Sequence, residues 1–95
     1  MMPKEWPFED PPNTAVLTVW AILDGSLPIL RVRHDADDGG WQFLTGGPVS
    51  EKDAAIVALG EMVERDDSLR ELADLPEGWI AERNAPSSAW ERSVC

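Results

Sequence analysis

The chain has 95 residues, of which 43% are apolar, and 18 acids against 8 lysines and arginines give it a formal charge of -10. This length holds one domain with a modest core, and the apolar fraction excludes general disorder. The charge has the wrong sign for wrapping a phosphate backbone or an anionic membrane, and it suits a basic protein partner.

Residues 1–13 contain Pro3, Pro7, Pro11 and Pro12. They read as a Pro-rich N-terminal arm, because proline interrupts a regular helix and a central strand alike. Trp6 and Phe8 are the side chains able to pin that arm to the body, which is expected over residues 14–95. The N-terminus has no apolar signal region and carries acids early, so the expected compartment is the cytoplasm. The single cysteine, Cys95, leaves no internal disulfide framework. The longest apolar stretches, residues 15–23 and 54–59, fall well short of the ~20 residues of a bilayer span.

From Ala15 to Leu23 the residues are apolar and partly β-branched, and Asp24, Gly25 and Pro28 cut the run short. A first strand is expected there. Over residues 29–34 (ILRVRH), Ile29, Arg31 and Arg33 alternate with Leu30, Val32 and His34, the period of a second strand. Asp35 to Gly40 form a turn. Residues 41–46 (WQFLTG) return as a third strand with Trp41 and Phe43 on one face. Three strands with short turns imply an antiparallel meander. Trp20 and Trp41 are expected in the core of that sheet.

Gly46, Gly47 and Pro48 then break the chain, and Ser50 with Asp53 suits the cap of a short helical turn. Residues 54–66 (AAIVALGEMVERD) fit either one helix or a strand followed by a helix. Gly60 marks the switch and favours the second reading, because glycine costs about 1 kcal/mol inside a helix. Ser68 with Glu71 has capping-box spacing for a helix over 69–74. Pro76 and Gly78 end it, residues 79–83 (WIAER) read as a last short strand, and the tail 84–95 reads as loop around Trp90. The expected fold class is α+β: a small antiparallel sheet, made of a three-stranded meander and one or two later strands, packed with one or two short helices.

The chemistry-bearing residues are sparse. His34 is the lone histidine; zinc wants three or four ligands, and a catalytic histidine needs a nucleophile and an orienting acid. The turn Asp35, Asp37, Asp38, Gly40 has the opening of a calcium loop, but the position that needs a bidentate glutamate is Gly46. Neither glycine pair continues as a phosphate loop. Glu61, Glu64 and Glu71 show no pairing that sets one carboxyl against another. No catalytic residue, metal site or cofactor is expected, and the reading is a non-enzymatic binding module.

Five tryptophans are spread along the chain. Aromatic residues and arginine concentrate binding energy at interfaces, so a binding spot is expected from Arg31, Arg33, Trp41, Arg83, Trp90 and Arg92 if the last strand lies beside the second. Such a spot suits a carboxylate; internal pairing with the protein's own acids is the structural alternative. A small-molecule site or small enzyme built on this Arg/Trp cluster, and a structural homodimer, are the competing readings.

The segments 39-GGWQFLTG-46, 72-LADLPEGWIAER-83 and 89-AWER-92 together resemble the DUF2185 family of small bacterial proteins, also described as immunity protein Imm33-like domains. Gly40, Trp41, Phe43 and Gly46 match its pattern, while Gly39, Gln42 and Gly47 stand where it carries a serine, an arginine and an acid. The resemblance covers about residues 15–92. It implies immunity by direct inhibitory binding of a bacterial toxin, and a basic toxin domain as the partner agrees with the charge; it implies no catalytic residue.

Overall fold

A computed structural model describes residues 5–95. The sheet is six-stranded: β1 (Ala15–Val19), β2 (Arg31–His34), β3 (Trp41–Leu44), β4 (Ala54–Ala58), β5 (Trp79–Glu82) and β6 (Glu91–Val94), in the order β4-β1-β3-β2-β5-β6. Helices are short: α1 (Trp20–Leu23), α2 (Leu59–Arg65) and 3-10 segments at Glu51–Asp53 and Asp67–Leu72. The α+β class is as the sequence implies.

The connectivity differs from a meander. β2 and β3 form the expected antiparallel hairpin, closed by Asp35 N–H to the Gly40 carbonyl at 2.8 Å. Gly39 takes φ 72° in that turn, a left-handed conformation that favours glycine. β1, however, lies parallel to β3, on the far side from β2, with Leu17 opposite Gln42. The buried Thr18 hydroxyl donates to the Phe43 carbonyl at 2.9 Å across this junction. Parallel neighbours cannot be joined by a tight turn; here residues 20–30 carry the chain past the place of β3 to β2, and the hairpin returns β3 into the gap beside β1. The strand expected over 15–23 therefore ends at Val19 and turns into α1, where Asp24 N–H bonds the Trp20 carbonyl. Trp20, expected in the core, is 57% exposed as a result.

Residues 54–66 are a strand followed by a helix, with β4 antiparallel to β1 and the switch at Leu59. Gly60 stands where the arm crosses: its N–H bonds the Pro12 carbonyl at 2.8 Å, and a Cβ there would meet Pro12 at 3.2 Å. The helix expected over 69–74 is instead the 3-10 segment Asp67–Leu72, capped by Asp66, which accepts from Ser68 N–H. The tail is not all loop. β6 pairs antiparallel with β5; all four of its residues are exposed, so it lacks the buried alternation that marks a strand in sequence.

One face of the sheet carries the core. Val16, Val32, Phe43, Trp41 and Ala81 on the strands join Leu59, Met62 and Val63 of α2 and Leu69 and Leu72 of the 3-10 segment. The arm closes this layer. Phe8 is buried with its ring edge-on to Trp41 at 5.3 Å, and Trp6 lies 5.5 Å from Phe8. The Trp6 indole donates to the Asp10 carbonyl and the Trp41 indole to the Asp10 carboxylate. Truncating a buried phenylalanine costs about 3–5 kcal/mol. Phe8→Ala is therefore expected to lower unfolding stability by about 3 kcal/mol, read as a reduced urea midpoint in tryptophan fluorescence. An unchanged midpoint would show that the arm adds nothing to the core.

Candidate functional site

β2 and β5 are neighbours, with Arg31 opposite Glu82 and Arg33 opposite Ile80. The proximity expected of the arginines is real, but strand parity divides them. Side chains alternate between faces, so Arg31 and Arg33 share the face with Glu82 and Ile80, and Arg83 falls with Trp79 and Ala81 on the core face. Arg31 pairs with Glu82 at 2.9 Å. Arg33 is exposed and joins none of the ion pairs among the described residues. Arg92 bonds Asp74 at 2.7 Å and the Glu71 carbonyl at 2.6 Å. Trp41 is in the core with Phe8 and Phe43.

Arg83 and Trp90 do come together, but as structure. The Arg83 guanidinium lies 4.1 Å over the Trp90 ring. Its Nε donates to the Ile29 carbonyl, Nη1 to the Ser68 hydroxyl and the Pro86 carbonyl, and Nη2 to the Ile29 carbonyl and Asp66 at 2.5 Å. Ser68 Oγ in turn donates to Asp66 and accepts from the Trp90 indole. This explains why Ser68 is not the cap of the following segment: its oxygen is engaged with Arg83 and Trp90. An arginine has five N–H donors, and this one has none left for a ligand. A cavity of about 560 Å³ bordered by Arg31, Glu82, Arg83 and Glu91 consequently contains guanidinium groups already held by the protein's own acceptors.

A different concavity stands out electrostatically. It measures about 400 Å³ and is lined by Glu9 and Asp10 from the arm, Asp38 and Gly39 from the hairpin turn, and Asp74, Leu75 and Glu77 after the 3-10 segment, together with His34 and Trp41. Five carboxylates border it, and among the described residues no lysine or arginine does. The His34 and Trp41 rings stack at 3.9 Å with an interplanar angle of 12°. His34 Nδ1 is 2.7 Å from the Leu75 carbonyl; a carbonyl only accepts, so Nδ1 carries the proton. His34 is thereby fixed between an indole face and a backbone carbonyl, without a nucleophile bonded to it. The acids are arrayed around the cavity rather than converging: among the described residues no group of three or more His, Cys, Asp or Glu side chains is placed to hold a metal ion. Sequence reasoning missed this site because its acids come from three separate segments. The signal available was the density of acids beside Trp6, Trp41 and Trp79.

Asp10 and Asp38 are partly committed to structure, through the Trp41 indole and the Gly40 N–H. Asp74 is held below the ordinary carboxylate range by its hydrogen bond to Arg92 and by the charge of that guanidinium. Glu9 and Glu77 are exposed and take part in none of the ion pairs or side-chain hydrogen bonds among the described residues.

Comparison with family models, with curated proteins and with solved structures returns no match for this chain. Among the described residues no helix is long and apolar enough to cross a membrane.

Two outcomes test this geometry. Arg83→Met removes a buried guanidinium with all its hydrogen bonds but leaves its Asp66 partner partly exposed, so a loss of about 2–3 kcal/mol is expected, at or below that for breaking a fully buried pair; an equilibrium unfolding midpoint close to that of the parent would refute the structural role. Asp74 should titrate below an ordinary aspartate in carbon-detected NMR, and Arg92→Gln should return it upward. A carboxyl whose folded pKa is depressed stabilises the fold above its unfolded pKa and loses that contribution as pH falls through the folded value. The difference in stability between parent and Arg92→Gln should therefore shrink on acidification below the ordinary aspartate range.

Proposed function

We propose that the chain is a non-catalytic protein-binding module that receives a basic side chain of a partner protein in the acid-lined cavity beside His34 and Trp41. The observation that carries this reading is the composition of that wall: Glu9, Asp10, Asp38, Asp74 and Glu77, with no lysine or arginine lining it among the described residues. Carboxylates facing a concave surface favour an incoming guanidinium or ammonium, and a guanidinium gains bidentate hydrogen bonds as well as charge. The net charge of -10 supports the same partner chemistry at long range, by steering a basic protein inward before contact.

The narrower form of this reading is direct inhibition of a basic bacterial toxin domain. It draws on the resemblance of residues 39–46, 72–83 and 89–92 to the DUF2185 family and on the charge.

The test is to purify the bound partner from the source cells at low salt and titrate the recombinant pair by calorimetry and stopped flow. Glu9→Gln with Glu77→Gln leaves the hydrogen-bond network of the fold intact. It should weaken binding about tenfold, largely through the association rate, and the affinity of the parent should fall as salt screens the charges. Parent-like affinity in the double variant, or binding indifferent to salt, would overturn the assignment of this cavity. A toxin whose activity is untouched by excess protein would sink the inhibitory form.

A further inference from the structure

The two edges of the sheet differ. β6 (Glu91–Val94) carries Glu91 and Arg92 on its short edge, and charged side chains are a common guard against edge-to-edge pairing. β4 (Ala54–Ala58) carries none: its residues are Ala, Ala, Ile, Val and Ala. It has no charge, no proline and no bulge in its register with β1, where each of the five residues has its partner.

The hydrogen-bond parity of β4 follows from one contact. Leu59 N–H donates to the Thr14 carbonyl at 2.8 Å, which makes Thr14 and Leu59 a hydrogen-bonded pair continuing the β1–β4 ladder. Such pairs alternate along an antiparallel ladder, so Val57 and Ala55 turn their backbone groups toward β1. Ile56 and Ala58 turn theirs outward, and Ala54 turns its carbonyl outward while its N–H bonds the Glu51 carbonyl. Beside this edge, unpaired among the described residues, the Ile56 side chain is 66% exposed. Trp20, 57% exposed, directly follows Val19, the partner of Ala54; Val49, 44% exposed, precedes the 3-10 segment that leads into β4.

We propose that the β4 edge pairs antiparallel with the β4 edge of a second copy of this chain, about a two-fold axis at Ile56. The strand is nearly palindromic about that residue. Ile56 falls opposite the second copy's Ile56, the alanine at either end falls opposite the other alanine end, and Ala55 falls opposite Val57. Bulk meets bulk at the centre, small residues meet at the ends, and no like charges are opposed within the strand. The parity agrees: outward-facing residues meet outward-facing residues. The two Ile56 residues exchange both their bonds, and each Ala58 N–H reaches the second copy's Ala54 carbonyl. Strand pairing alone buries less than the ~1,200 Å² of a standard interface. The exposed Ile56 side chain at the centre of the strand supplies apolar area to enlarge it. The opposing term is the charge of -10 on each copy, a repulsion that salt screens.

The proposal is independent of the acid-lined cavity and is tested on the purified chain without a partner. Sedimentation velocity over a concentration series should show a monomer–dimer equilibrium that tightens about tenfold between about 0.05 and 0.5 M salt. This is the reverse of the salt dependence expected for the basic partner. Ala58 has φ -77°, within the range proline adopts, and its N–H points away from β1. Ala58→Pro should therefore abolish the dimer while keeping the circular dichroism and unfolding midpoint of the monomer. Ile56→Lys should do the same by placing a charge at the centre of the edge. Amide exchange at Ile56 should slow with rising concentration. A parent chain that stays monomeric at about 1 mM in high salt, or folded variants that dimerise like the parent, would overturn the proposal.

Discussion

Arg83 sits at the end of β5 and holds together parts of the chain that have no ladder in common. Its guanidinium reaches the crossover at Ile29, the junction of α2 and the 3-10 segment at Asp66 and Ser68, and the loop at Pro86, while Trp90 covers its face. Its side chain is almost wholly buried. A charge in that position is costly unless paired and hydrogen-bonded, and here both conditions hold. Among the described residues every buried side-chain nitrogen and oxygen has a partner. The helical layer is therefore fastened to the sheet by the polar contacts of Arg83, and the arm by the aromatic group of Phe8, Trp41 and Phe43.

What could be read from the sequence was what local physics determines. Period-two alternation gave β2, the Asp- and Gly-rich turn gave the hairpin to β3, and the glycine after an apolar run marked the passage from β4 to α2. What escaped was set by distant pairing. Nothing local in residues 15–19 distinguishes a strand that pairs with β2 from one that crosses to the far side of β3. Residues 91–94 form a strand only because β5 offers them an edge. Trp20 is exposed where the chain leaves the sheet, directly after the end of β1.

The same contrast holds for function. Arg83 and Trp90 come together, and Arg31 borders the same cavity as Arg83 with its charge paired to Glu82, while Arg33 does not line it. The acid-lined concavity joins residues from the arm, the hairpin turn and the segment before β5. Each acid taken alone is an ordinary solvated turn residue, and only the folded chain makes them a common wall. The arm is more than a leader to the domain in this respect, since Glu9 and Asp10 belong to that wall and Asp10 holds the Trp41 indole.

The route of the arm also constrains how the molecule is made. Pro12 accepts from Gly60, and Phe8 docks on Trp41; both residues of the arm are synthesised long before their partners. The arm therefore finds its ring partner in β3 and its backbone partner in α2, and is seated by contacts distant in sequence. Folding that depends on contacts so distant in sequence is slow relative to helical domains of similar length.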